Sequence, residues 1–287
     1  MLSTLSNTQK GILSALCGFV SFSIADSCAK WLGMHYGTLD IIFWTYLFSL
    51  GFGLIFSPFL GGIKRTLSTK KLFIHISRGI SALAIALLVV TALKGISLAA
   101  MYTILFLAPF LTTIAAIPIY KESVSFRNWG VIALGFSGVL LAFRPGVADI
   151  SWDVIYCFAA LGFIVILGLL ARPLTKDESL HSLSFYPSLC VVVLLAYSVI
   201  PNLALPSSSH LPVFLLNGFC VTVGLSGIAY GFRIAPYSVV APIHYIQMVV
   251  ALTLGYFIFQ DVPDIWMLGG ASIIIISGVL LAIDKKN

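Results

Sequence analysis

The hexapeptide "SGVLLA" occupies residues 137–142 and occurs again, letter for letter, at residues 277–282. The glycine before each copy is in register as well, since Gly130 corresponds to Gly270. With one residue removed from the later loop, the correspondence continues upstream and pairs Glu122 with Asp261, Lys94 with Arg233 and Phe106 with Tyr245. Matching glycines, acids and bases around an apolar match predict an internal repeat.

The composition of the chain is that of a protein dissolved in lipid. Of its 287 residues, 60% are hydrophobic and only 9% are charged, and the mean hydropathy is +1.07. A water-soluble domain carries roughly 25% charged residues. No water-soluble fold could hide this much apolar surface, so the sequence predicts an all-α integral membrane protein.

A membrane-spanning helix needs about 20 mostly apolar residues. Ten apolar segments of the chain approach or reach this length, and the fifth is short. Cutting the chain at polar, glycine and proline punctuation gives spans at residues 11–33, 40–60, 72–93, 98–119, 128–143, 153–171, 183–201, 211–232, 237–259 and 265–283.

The basic residues test this division, because cytoplasmic loops carry an excess of Lys and Arg. With the N-terminus inside, only Lys30, Lys94 and Arg144 of the 16 basic residues fall on the outer side. The protein is therefore predicted to lie in the inner membrane of the cell, with both termini on the cytoplasmic side. The formal charge of +6 is then explained by the excess of basic residues in the cytoplasmic loops, and no nucleic-acid partner is expected.

A repeat unit of five helices places its two copies in opposite orientations across the bilayer, because five is odd. The predicted units are residues 1–146 and 147–287. Inverted repeats are typical of secondary transporters, whose halves exchange inward-open and outward-open shapes. A duplicated helix bundle without a transport role is the alternative.

The paired segments 92–130 and 231–264, with acids at Glu122 and Asp261, resemble the EamA-type drug/metabolite transporters. The resemblance covers essentially the whole chain. It implies ten helices in two inverted five-helix repeats and a small-molecule metabolite as the transported partner. It also implies a role in folding or gating for the first acid.

Three segments are similar to one branch of that family, the S-adenosylmethionine uptake carriers of intracellular bacteria: "FSIADSCAKWLG" (22–33), "FIHISRG" (73–79) and "APIHYIQMVVALTLGYFIFQDVPD" (241–264). That branch often has Asn-Asp where this chain has Ala25 and Asp26. Riboflavin carriers share a similar first helix. The resemblance implies S-adenosylmethionine uptake, with a riboflavin-type carrier or an exporter of amino acids or drugs as alternatives.

Asp26 is a carboxylate inside an apolar segment, with Lys30 one helical turn away. An ionised group at the bilayer centre is expensive. One interpretation is a helix-end ion pair with Lys30 that fixes the position of the helix. The other is a carboxylate facing a cavity, where it attracts a cationic substrate or binds a coupling proton.

Aromatic and polar side chains in the fourth and ninth spans are further candidates for substrate contact. Tyr102 and Phe106 share one helix face with Pro109, and the repeat maps that face onto the region of Tyr245. The complete set of candidates is Asp26, Trp44, Tyr102, Phe106, His244, Tyr245 and Gln247, with Pro109 and Pro242 as hinges. Ordinary packing of aromatic residues and kinks is the alternative for each of them.

Other function classes lack their motifs in this sequence. There is no P-loop for ATP-driven pumping and no nucleophile or metal set for a membrane enzyme. The five cysteines are scattered through apolar runs, so neither a cofactor nor a metal is expected. The residues favour a cationic, aromatic metabolite, and they leave the direction of transport and the oligomeric state open.

Overall fold

The computed structural model describes residues 5–59, 62–67, 69–121, 124–144, 151–171, 178–202, 204–235 and 240–284. All regular secondary structure in these ranges is helical. The described ranges contain twelve α-helices: α1 Asn7–Leu32, α2 Thr38–Phe56, α3 Ile63–Leu67, α4 Leu72–Ala92, α5 Leu98–Leu105, α6 Ala108–Tyr120, α7 Phe126–Phe143, α8 Trp152–Ala171, α9 Leu180–Val199, α10 Leu211–Ile234, α11 Ile246–Phe259 and α12 Ile265–Asp284.

Eight helical segments of the described residues are long and apolar enough to cross a membrane, and Ile243–Phe259 and Ile265–Leu280 are shorter apolar helices. Large apolar side chains cover their outer faces, such as Phe73, which is 82% exposed. Exposed apolar surface on this scale is stable only in lipid. The chain is therefore a multi-pass, all-helical membrane protein.

The fourth predicted span, residues 98–119, is interrupted in the structure between α5 and α6. Pro109 is the second residue of α6 and has no N–H to offer the carbonyl of Leu105. The hydrogen bonds tighten at this point, since the Leu107 N–H donates to the Ile104 carbonyl at 3.0 Å, three residues back. The interruption thus follows from the proline.

The ninth predicted span, residues 237–259, is also irregular. Its first described part is a 3₁₀ turn at Ala241–Tyr245, and the α-helix begins only at Ile246. Pro242 is the second residue of this turn. The repeat aligns Tyr245 with Phe106, so both halves change helix geometry at corresponding positions. The rings of these two residues contact each other edge to face, with centroids 5.1 Å apart.

The packing between helices can be compared with the repeat predicted from the sequence, which makes α8 the counterpart of α1 and α4 the counterpart of α10. Helix α1 packs on α10, and its counterpart α8 packs on α4, the counterpart of α10. Helices α2 and α9, which correspond to each other, are in contact, and so are α7 and α12. An approximate two-fold relation between the halves would produce this exchange of partners.

Helices α1 and α10 approach closely because glycines line their interface. A Cβ on Gly227 would lie 2.8 Å from the Ser14 carbonyl oxygen and 3.3 Å from the Gly18 Cα. The Ser14 hydroxyl donates to the Gly227 carbonyl at 2.9 Å. Small residues permit such backbone contact between membrane helices. Gly227 and Gly231 of α10 form the GxxxG pair that produces it.

We expect Gly227→Ala to lower the stability of the purified protein by about 1–3 kcal/mol, because the new methyl group overpacks the interface. Thermal unfolding in detergent measures the effect. Gly162→Ala is the matched control, since a Cβ at that helical glycine meets nothing within 4 Å. The control should leave the melting temperature unchanged or raise it slightly. Equal melting temperatures for the two variants would contradict this account of the α1–α10 contact.

Candidate substrate site

Asp26 lies on α1, six residues before the helix ends at Leu32. The Tyr102 hydroxyl, from α5, donates a hydrogen bond of 2.5 Å to its Oδ2 atom. The Gln247 side-chain amide, from α11, donates to the same hydroxyl at 3.4 Å. Tyr102 and Gln247 are 3% and 4% exposed, respectively. A buried chain of polar groups therefore joins three helices, one of them from the second half of the sequence.

Ser23 supports this chain one turn before Asp26. Its hydroxyl is buried and lies 3.5 Å from the backbone carbonyl of Gln247. Ser23 thus brings α1 against the first turn of α11, where the helix begins after its 3₁₀ turn. The result is a fixed separation between the Asp26 carboxylate and the Gln247 amide.

An aromatic cluster adjoins the polar chain. The ring of Phe106 contacts those of His244 and Tyr245, both at centroid distances of 5.1 Å, and that of Tyr102 at 5.7 Å. His244 also stacks on Phe19 of α1 at 4.8 Å. Phe19 was absent from the sequence candidates, although its spacing from Ser23 and Asp26 (i, i+4, i+7) puts all three on one helix face.

Gly278, inside the second copy of the repeated hexapeptide, makes room for one of these rings. A Cβ at this position would overlap the phenol of Tyr245. Gly278 therefore adjoins the site, because only a residue without a side chain leaves Tyr245 its place against α12.

The interpretation that paired Lys30 with Asp26 is wrong, because Lys30 pairs with Asp261 in the structure. The Lys30 Nζ atom lies 2.7 Å from the Asp261 Oδ2 atom, donates to the Ile96 carbonyl at 3.1 Å, and sits 4.8 Å from the centroid of the Phe259 ring. Asp26 turns into the bundle towards Tyr102, whereas the longer lysine side chain reaches the segment after α11. Lys30 and Asp261 are 14% and 32% exposed, so the pair is partly shielded from water.

The remaining predicted positions lie elsewhere. Trp44 stacks on Phe48, and its indole N–H donates to the Ala204 carbonyl at 2.9 Å, so its described contacts do not join it to the Asp26 group. Pro109 and Pro242 lie at the two helix irregularities. Glu122 lies outside the described residues.

The site combines a carboxylate with a phenol, an amide, an imidazole and stacked rings. Such a set can bind a cationic group through the carboxylate and a flat ring through stacking or cation–π contact. Among the residues that the structure describes, no group of three or more His, Cys, Asp or Glu side chains could hold a metal ion. These side chains are suited to binding a ligand.

Residues 9–144 match the EamA-like transporter family. Two similar proteins are S-adenosylmethionine uptake transporters, from Rickettsia prowazekii (strain Madrid E), 26% identical over 99% of this chain and 97% of that protein, and from Rickettsia bellii (strain RML369-C), 27% identical over 96% and 94%. A riboflavin transporter of Vibrio cholerae serotype O1 is 22% identical over 93% of this chain and 91% of that protein.

Among solved structures, one crystal structure matches 98% of this chain and 99% of its own with a TM-score of 0.69 and 14% identity, a likeness that concerns the fold. The family match and the full-length relatives agree in kind. The comparisons therefore support a membrane transporter rather than an enzyme, with residues 9–144 similar to the EamA-like transporter family.

Proposed function

We propose that the chain is a secondary transporter of the cytoplasmic membrane that works by alternating access and takes up S-adenosylmethionine. The observation that carries this proposal is the chain from Asp26 through Tyr102 to Gln247. It joins both halves of the sequence beside two irregular helices. Transporter sites typically form at the interface between repeats, where helices are interrupted.

Carriers built from inverted repeats alternate access by using two similar halves in opposite orientations. In this chain the two halves would be residues 1–146 and 147–287, together making ten spans. Two features of the structure support this arrangement. Corresponding helices exchange packing partners between the halves. The helix irregularities at Phe106 and Tyr245 occupy corresponding positions and meet in the interior. Rocking of one half against the other would expose the site around Asp26 to one membrane side and then to the other.

Contacts near the helix ends also support the predicted alternation of spans. The pairs Lys30–Asp261 and Arg144–Asp264, each at 2.7 Å, join ends that the ten-span layout places outside. Thr69 donates a hydrogen bond to Glu178 at 2.7 Å, and the layout places both of these helix ends on the cytoplasmic side. The layout puts both termini on that same side. Because Lys30–Asp261 links the two halves, we infer that it opens when the site faces outward.

The substrate is inferred from the chemistry of the site and from the relatives. S-adenosylmethionine carries a sulfonium cation and an adenine ring, which suit the Asp26 carboxylate and the rings of Phe106 and Tyr245. An interior-negative membrane potential favours entry of a cation by about 2.3 kcal/mol per charge per 100 mV. Riboflavin offers Asp26 no cationic group, so the site favours the first substrate. An exporter of amino acids or drugs is the remaining alternative.

We expect cells that express the chain to accumulate radiolabelled S-adenosylmethionine, with competition by the unlabelled compound and not by riboflavin. Exchange in proteoliposomes loaded with unlabelled substrate should accelerate entry of the label, since an alternating-access carrier is reversible. Cells with an empty vector are the control. Uptake of riboflavin instead would replace the proposed substrate while leaving the carrier mechanism in place.

Asp26→Asn should reduce the initial rate of S-adenosylmethionine uptake at least about tenfold, because a neutral amide forfeits a charge-assisted contact with the cation. Expression and membrane insertion should stay normal, as measured by immunoblotting of membrane fractions. Asp40→Asn is the matched control, since Asp40 lies in the first turn of α2 and makes only a long, exposed contact of 3.4 Å with the Ala204 N–H. Equal uptake by the two variants would leave Asp26 with a purely structural role.

A further inference from the structure

Arg78 lies on the inner face of α4. His75, Arg78 and Ala82 are buried at helical spacing along that face. On the opposite face, Phe73 is 82% exposed and Ile80 is 51% exposed. Only 7% of Arg78 is exposed, so its guanidinium group points into the helix bundle and not into lipid.

Among the described residues, none is bonded to the Arg78 guanidinium. In the described part of the chain, its Nε atom is buried without an acceptor, and no hydrogen bond or ion pair involves the group. The buried acid at this end of the bundle, Glu178, is engaged elsewhere. Its Oε1 atom accepts from Thr69 at 2.7 Å, and its Oε2 atom lies 3.4 Å from the His75 Nε2 atom.

An unpaired cation in the interior of a membrane protein is energetically unfavourable. Ionisable residues in such positions face a cavity and mark ligand pathways. The guanidinium group is always charged, and its planar fork of donors matches a carboxylate or a phosphate in two parallel hydrogen bonds. An anionic oxygen group is therefore the ligand chemistry that suits this guanidinium.

We propose that Arg78 binds the carboxylate of the transported metabolite, an inference that rests on the proposed transport function. Asp26 supplies the site for a cation and Arg78 the site for an anion, so the substrate class is zwitterionic. Arg78 lies six residues from the start of α4, and Asp26 lies six residues from the end of α1. The ten-span layout puts these two ends on opposite sides, so the anion site belongs to the cytoplasmic half of the pathway.

The test compares S-adenosylmethionine with its carboxyl methyl ester, which keeps the sulfonium, amine and adenine but lacks the anion. Uptake by the unaltered chain should favour the acid over the ester at least about tenfold in KM. In Arg78→Gln that preference should fall to within about twofold, while Arg78→Lys should keep part of it. Arg144→Gln removes a half-exposed positive charge near Asp264 and should keep the full preference.

A purely structural arginine would behave differently. Arg78→Gln would then lower the amount of folded protein, measured by thermal unfolding in detergent, and whatever transport remained would still favour the acid over the ester. That preserved discrimination would overturn the proposal. If only Arg78→Gln fails to fold, the acid–ester comparison is made in Arg78→Lys. A preference in that variant equal to that of the unaltered chain would also overturn the proposal.

If the unaltered chain carries neither compound, the substrate proposal fails, and anion binding is measured directly. Phenylglyoxal modifies accessible arginines, and peptide mapping gives the rate at Arg78 in the purified protein. Sodium acetate should slow this reaction at least about twofold relative to sodium chloride of equal ionic strength, and protection by acetate but not phosphate identifies a carboxylate site. Equal rates in all three salts would overturn the anion site itself, and protection by phosphate alone would overturn its assignment to a carboxylate.

Discussion

The structure depends on one constraint, that lipid offers no hydrogen-bond partner to a polar group. Every polar side chain and every irregular stretch of backbone must then be satisfied by protein or face an internal cavity. The two helix irregularities obey this constraint. They meet in the interior, where Phe106 contacts Tyr245, while smooth apolar helix faces such as that of α4 turn outward.

The same constraint explains how the bundle holds Asp26, the proposed binding group for a cation. Asp26 is tolerated because Tyr102 donates to it and Gln247 donates to Tyr102, so the carboxylate is held inside the bundle. These partners come from different helices and from both halves of the chain. Relative motion of the halves would alter the surroundings of the carboxylate, which is how binding and conformational change become coupled in a carrier.

The sequence was sufficient to predict an all-helical membrane protein and most of the candidate site. Besides Asp26 itself, five of the other six substrate candidates share contacts in one region (Tyr102, Phe106, His244, Tyr245 and Gln247), because helical spacing and the predicted repeat both constrain them. Helical spacing could not reveal contacts between distant segments. Lys30 therefore received the wrong partner, and Trp44 was grouped with residues to which no described hydrogen bond or ring contact joins it. Arg78 was counted among the basic residues of the cytoplasmic ends, since charge counting ignores which helix face a residue occupies.

The central claim is that one internal pocket is reachable from each side of the membrane in turn. The most direct measurement uses His244→Cys in a chain whose five native cysteines are replaced by serine. A membrane-impermeant thiol reagent is applied to right-side-out and to inside-out vesicles. The account predicts reaction from both sides, slowed by S-adenosylmethionine in each case. Reaction from one side only, with or without substrate, would contradict it.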